Sequence, residues 1–264
     1  MLQQTPVVRV IPPLEQWLRR WPTPADLAAD SPGEAVRAWA SLGYPRRALN
    51  LHAAAVAITS RHGGEVPLTV TELLALPGVG DYTARAVAVF AHGQRHPVVD
   101  TNVRRVIARA IEGVAEPAAP SNRRDLEAMA AILPADLEQS RVANAAIMEL
   151  GAVVCVARRP RCAECPIAEQ CAWRSADYPE FAGVRRPVQK KFEGSDRQLR
   201  GKILNILRAS DVAVLLPEPP ELVASDPQFE QQQLDQHQFR RALAGLLADG
   251  LVTGNPTNGY SLPA

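Results

Sequence analysis

The sequence predicts an all-α protein. Three observations carry that prediction. Helix-start signals recur along the first 155 residues, apolar residues repeat at helical spacing, and no convincing alternating strand occurs in that stretch.

The elements follow in order. Thr5-Pro6 reads as an N-cap with proline at the first helical position, where no N–H is needed. Val7, Ile11, Leu14 and Leu18 then make an apolar stripe. Thr23-Pro24 and Ser31-Pro32 repeat the pattern, and Ser31 has Glu34 three residues on, as in a capping box. That helix ends at Gly43, and the next runs from about Pro45 to Gly63. Thr69 with Glu72 is another capping box, opening a short helix to Leu76. After Gly78 and Gly80, Asp81 to Ala91 form a helix closed by Gly93. Further helices start at Asp100 and at Ser121, and another runs from Pro134 to about Cys155.

Apolar content of 47% and charged content of 22% are ordinary for a globular protein, and 264 residues suffice for two domains with real cores. No signal peptide precedes the first helix, and no stretch approaches the ~18 apolar residues of a membrane span, so a cytosolic protein without a membrane partner is expected. Net charge is +1, which does not announce nucleic acid. The charge is uneven, however. Residues 201–264 hold four Lys and Arg against seven Asp and Glu, a net charge of −3.

Composition changes near Tyr178 to Gly194, where Pro, Gly, Arg185, Arg186, Lys190 and Lys191 suggest a surface connection. Beyond it lie two amphipathic stripes, Leu199, Ile203, Ile206 and Leu207, then Phe239, Ala242, Leu243, Leu246 and Leu247. Leu251-Val252 and Gly259-Tyr260-Ser261-Leu262 are expected to pair as a hairpin. Helices followed by a hairpin resemble a winged helix. Residues 216–233, with four Pro and four Gln, read as a loose loop.

The four cysteines lie together at Cys155, Cys162, Cys165 and Cys171, spaced C-x6-C-x2-C-x5-C. Disulfides are not expected in a cytosolic chain. A structural zinc site usually joins two separated close pairs. One continuous loop of four thiolates suits an iron–sulfur cubane better, with zinc and free thiols as the alternatives. Between the first two cysteines, Arg158, Arg159 and Arg161 make a basic finger, read as a phosphate contact rather than a solvated loop.

Between two helices, Leu76-Pro77-Gly78-Val79-Gly80-Asp81-Tyr82 places two glycines where another backbone can approach. The following helix N-terminus then points its N–H groups at an anion. Such a hairpin grips a DNA phosphate through Gly78, Val79 and Gly80 without reading sequence, although a plain helix–helix turn has the same look. Asp100 starts the next helix, in Val99-Asp100-Thr101-Asn102-Val103-Arg104-Arg105-Val106. Its default role is N-cap. Its carboxylate can also stabilise a developing sugar cation and orient a water, while Arg104 is expected against DNA.

In this order, LPGVG-x-Y-T-A, V-D-T-N-V-x-R-V and C-x6-C-x2-C-x5-C resemble the helix–hairpin–helix DNA glycosylases of the endonuclease III superfamily, within them the adenine-removing branch of base-excision repair. MLQQTPVVRVIPPL, Leu42-Gly43-Tyr44 and the Arg46–His52 run are similar too. The likeness covers residues 1 to about 175. It implies two helical subdomains, a [4Fe-4S] cluster on the four cysteines, and a monomer acting on nucleoid DNA. The implied substrate is double-stranded DNA in which adenine faces 8-oxoguanine or guanine, with the adenine flipped out. The implied division is a glycosylase domain over 1–183 (a six-helix part to about 95, a cluster-bearing part over 96–175), a linker over 184–198 and a winged-helix-like unit over 199–264.

By this resemblance Asp100 is the catalytic aspartate and Asn102 lines its site. Strand-cutting relatives carry a Lys where this chain has Tyr82, which implies a monofunctional enzyme. Gln4 and Tyr44 match residues that enter the duplex beside the lesion pair. In the family the MLQQT segment follows a helix bearing a glutamate that protonates the departing adenine. Met1 stands just beyond that position, so a misplaced start or a truncated chain with weak activity is expected. Residues 200–264 are too short and too helical for the β-rich 8-oxoguanine-reading domain of many relatives, and a packing or partner-binding role is expected instead. The alternative function is an inactive protein of the same fold that holds lesion DNA. A strand-cutting enzyme is disfavoured by Tyr82, and the cysteine spacing gives no support to an electron carrier.

Overall fold

The computed structural model describes residues 1–3, 5–183, 192–216 and 236–264. Gln4, the basic residues Arg185, Arg186, Lys190 and Lys191, and nearly all of the Pro- and Gln-rich loop lie outside the described residues. The chain runs through α1 (Val7–Arg20), α2 (Pro24–Ala29), α3 (Pro32–Ala38), α4 (Arg46–Arg61), α5 (Val70–Leu74), α6 (Asp81–Phe90), α7 (Thr101–Ala110), α8 (Asn122–Ile132) and α9 (Leu137–Glu149). A π-helical segment (Leu150–Val154), a 3-10 turn (Cys162–Glu164), α10 (Ala172–Ser175), α11 (Asp196–Arg208), α12 (Gln236–Ala248) and the antiparallel strands β1 (Thr253–Asn255) and β2 (Gly259–Ser261) follow. Among the described residues the regular structure is therefore almost all helical. Among the described residues no helix is long and apolar enough to cross a membrane.

Local signals set most helix starts. Thr23 caps α2 in a full capping box with Asp26, and Thr69 caps α5 by accepting from the Glu72 amide. Ser31 accepts from the Glu34 amide at α3, but the Glu34 carboxylate turns instead to Arg37 and Arg20, so only half the expected box forms. Thr5 departs from expectation. It does not cap α1. Its buried hydroxyl donates to Leu42 O and accepts from the Arg47 guanidinium.

The chain divides into two compact units. The first comprises residues 1–66, 76–78 and 187–264. Its core begins with Trp17, edge-on to Trp21 at 4.7 Å and to Trp39 at 5.8 Å. The α1 stripe expected inside is outside: Val7 is 61% exposed, and Ile11, Leu14 and Leu18 also face out, while Val10 and Trp17 are buried. The bulky tryptophans turned the helix to the adjacent face, because they have more surface to remove from water. The same core takes in Leu199, Ile203, Leu204 and Leu207 of α11, Leu246 of α12, then Leu251 and Tyr260. α11, α12 and the hairpin thus share one core with α1–α4. The hairpin register is Thr253↔Ser261, Gly254↔Tyr260 and Asn255↔Gly259, shifted from the expected pairing because Leu251 and Val252 are drawn into the core. Val214 bridges to Tyr260 on the other side of β2.

The second unit comprises residues 67–75 and 79–186. Val103 and Ile107 of α7 pack on Met129 and Leu133, and the π-helical segment packs against α7. Buried polar side chains are concentrated here: Arg104, Arg109, Ser140 and Asn144.

Candidate active site and metal centre

The turn between α5 and α6 is built from its glycines. Gly78 has φ +73, and a Cβ there would lie 2.5 Å from the Cβ of Asn50, so no other residue fits. Gly80 differs from expectation. Its φ of −99 is ordinary extended backbone, and the space beside it is open. Gly80 is the N-cap of α6 and has no side chain to occupy the helix mouth. Val79 stands half-buried between the two glycines. The open helix end carries the partial positive charge that attracts a phosphate. The Asp81 carboxylate in its first turn is held aside by Asn122 at 2.9 Å and Arg85 at 3.5 Å.

Asp100 caps α7. Its Oδ1 accepts from the backbone N–H of Asn102 at 2.8 Å and of Val103 at 2.7 Å, and its Oδ2 accepts from Asn102 Nδ2 at 2.9 Å. The carboxylate is thus fixed in direction, half-buried, with lone pairs to spare. Burial, and next the charge of Asp100, push the Tyr82 phenol above its ordinary pKa, which places Tyr82 in the field of that carboxylate. The Asn102 Oδ1 accepts from Arg105 Nη2 at 2.8 Å. Arg105 also donates to Gly151 O and to Cys155 O, both at 2.6 Å. Gly151 is obligatory, since a Cβ there would lie 2.8 Å from Asn102. Asp100, Asn102, Arg105 and the backbone of Cys155 therefore form one continuous chain of hydrogen bonds.

Cys155, Cys162, Cys165 and Cys171 form no disulfide and line one pocket, with Arg109, Val154, Pro160, Ala168, Trp173 and Arg174 completing the wall. Four cysteine thiols on one continuous loop around one pocket are a donor set that suits an iron–sulfur cluster. Arg109 is 4% exposed, donates to Cys155 Sγ at 3.5 Å and Val156 O at 2.8 Å, and lies over the Trp173 ring.

The remaining residues singled out from sequence divide. Arg158 and Arg159 point outward, Arg159 with φ +53. Arg161 is partly spent on its own loop, bonding Val153 O and pairing with Glu164 at 3.3 Å. Arg104 is a correction. It is 8% exposed, bound to Asp125 at 2.7 Å and to Ala118 O at 2.6 Å, so its guanidinium faces the interior rather than a phosphate. Tyr44 is 55% exposed with φ +48. The Arg47 guanidinium lies over its ring, 5.6 Å from the centroid, and donates to Met1 O, Thr5 Oγ1 and Gly43 O, tying the first residues to this turn. Sequence reasoning passed over Arg105, Arg109 and Asn50. Asn102, Arg105 and Arg109 recur at three and four residues, a helical-face signal that pointed to the two arginines.

Residues 1–128 match the HhH-GPD superfamily of base excision DNA repair proteins, and residues 155–171 match the iron–sulfur binding domain of endonuclease III. The four cysteines are thus the ligands of an iron–sulfur cluster of the [4Fe-4S] kind. Among similar proteins, the adenine DNA glycosylase of Mycolicibacterium smegmatis is 49% identical over 262 residues, 99% of this chain and 84% of that protein. That of Mycobacterium tuberculosis is 48% identical over 263 residues, covering 100% and 83%. A solved endonuclease III–DNA covalent intermediate superposes with a TM-score of 0.58 at 25% identity, over 67% of this chain and 81% of that one. The chain belongs to the adenine DNA glycosylase family of the HhH-GPD superfamily, and is a DNA glycosylase of base excision repair.

Proposed function

We propose that this enzyme hydrolyses the N-glycosidic bond of adenine paired with 8-oxoguanine or guanine in double-stranded DNA, without cutting the strand. The observation that carries the reading is the Asp100 carboxylate, fixed at the start of α7 by three N–H donors with Tyr82 in its field. The adenine is flipped from the stack. As the bond to the base lengthens, positive charge grows on the sugar, and the preoriented carboxylate stabilises it. A remaining lone pair of Asp100 takes a proton from the attacking water. Asn102 keeps the carboxylate in place. A phenol cannot form a Schiff base with the sugar, so Tyr82 favours base release alone.

The Gly78–Val79–Gly80 turn takes a DNA phosphate at the mouth of α6, with Arg158 and Arg159 taking others. When bound, the cluster closes the 155–171 loop and stiffens that finger. Gln4 and Tyr44 enter the duplex at the mispair. The protein acts as a monomer, with the glycosylase in residues 1–183 and a packing or partner-binding role for 199–264. The test is single-turnover base release from A:8-oxoguanine, A:G and A:T duplexes. Adenine release from the mispairs with intact strands is expected. Strand scission overturns the monofunctional reading. Tight binding with no release overturns the enzymatic one in favour of a lesion-binding protein.

A further inference from the structure

The segment from Arg95 to Val99 has no regular structure, yet it delivers Asp100 to the start of α7. An irregular strand must find partners for its backbone elsewhere. Here one side chain supplies them. Asn144 of α9 is 0% exposed. Its Oδ1 accepts from Val98 N at 2.8 Å, while its Nδ2 donates to His96 O at 3.1 Å and to Ser140 O at 2.9 Å. The amide thus pairs with a C=O and an N–H two residues apart on a short stretch of backbone, as a neighbouring strand would. Val98, two residues before Asp100, is fully buried. From outside, Arg95 ties the same strap to the end of α8, donating to Pro134 O at 2.7 Å and Leu133 O at 2.9 Å.

We propose that Asn144 is a positioning residue: it fixes the backbone of His96 and Val98 so that the Asp100 carboxylate is delivered to the reacting sugar. The proposal rests on the reading of Asp100 as the catalytic carboxylate. Asn144 touches no substrate and acts through the strap. A shorter side chain leaves Val98 N–H and His96 O buried without partners, and the strap shifts to satisfy them. A displacement of about 1 Å at a reacting group costs on the order of 10² in rate.

The experiment compares Asn144→Ala, Arg95→Gln and Ser140→Ala with the full chain on A:8-oxoguanine duplex. Single-turnover base release and duplex affinity are measured separately, alongside helicity and cluster absorbance near about 400 nm. Ser140 is the control, since its buried hydroxyl has no hydrogen-bond partner among the described residues and its removal breaks no tether. Asn144→Ala is expected to slow release by about 10² with affinity held within about threefold and the cluster retained. Arg95→Gln, at the outer tether, is expected to slow release less, again without loss of affinity. Ser140→Ala is expected to match the parent protein. Equal release in Asn144→Ala and the parent overturns the proposal, as does rate and affinity falling together, or an equal effect of Ser140→Ala. Where Asn144→Ala does not fold, Arg95→Gln decides by the same split. If the parent protein itself releases no base, the functional reading fails instead. Amide exchange at Val98 then tests the tether: protection lost in Asn144→Ala, with α7 still protected, supports it, and retained protection overturns it.

Discussion

The two units hold themselves together by different physics. In the first, three tryptophans, Leu199, Ile203, Leu204 and Leu207 of α11 and Leu243 and Leu246 of α12 make an apolar core, and among the described residues Thr5 is the buried polar one. Guanidinium groups bind backbone carbonyls in both units, but among the described residues the arginines that do so while buried are Arg104 and Arg109 of the second, where Asn144 is buried and hydrogen-bonded as well. Apolar packing is non-directional and tolerates small shifts. Buried hydrogen-bonded side chains are satisfied in one geometry and costly in any other. The unit that carries Asp100 and the cluster cysteines is thus the one with hydrogen-bonded arginine and asparagine side chains in its interior, which suits a reaction requiring placement within a fraction of an ångström.

Four measurements break or sharpen this contrast. Asp100→Asn is expected to cut single-turnover base release by about 10³, in the range of a lost electrostatic stabiliser. Because Asn caps helices as well as Asp, thermal stability and duplex affinity should hardly move. A matching fall in the unfolding temperature would show Asp100 to be a cap alone. Trp39→Ala is the converse in the first unit, expected to cost about 3–5 kcal/mol in denaturant unfolding. The cluster absorbance should persist in the folded fraction, and its loss at low denaturant would mean the two units do not differ as described.

Replacing both Arg158 and Arg159 by Ala should lower the slope of log affinity against log salt by about 2, uniformly across duplex sequences. An unchanged slope would make the finger a solvated loop. The smallest effect concerns Asp125. Burial opposes its ionisation, but the Ser121 amide and the Arg124 and Arg104 guanidinium groups outweigh that and hold its pKa below the ordinary value. A depressed carboxyl stabilises the fold fully above its unfolded pKa of about 3.9, and that stability vanishes as pH falls through the folded value. Asp125→Asn should therefore flatten the acid side of the stability profile. An unaltered profile would remove this pair from the account of the second unit.

What the sequence made legible was local or covalently dense. Thr23, Thr69 and Asp100 cap helices through atoms two or three residues away, and the cysteines are seventeen residues end to end. The α1 stripe failed because helical spacing identifies a face but not which of two adjacent faces meets a tryptophan. Arg104 failed for a similar reason. An arginine four residues after Asp100 looks like a DNA contact until Asp125, twenty-one residues away, is found against it. Arg105 and Asn144 act through backbone carbonyls and amides, which carry no residue identity and leave no mark in the sequence of their partners.

One arrangement bears on how the protein is made. The first core is assembled from both ends of the chain, Trp17 and Trp39 near the beginning and Leu246 and Tyr260 near the end, whereas the second unit is drawn from the middle. On the ribosome, the middle has all its parts before α11 and α12 have emerged. At roughly 5–20 residues per second, the early helices then spend seconds with tryptophan faces uncovered. During synthesis the unit that carries Asp100 and the cysteines is expected to set before the unit that carries the tryptophans, and nascent chains stalled before α12 are those expected to recruit chaperones.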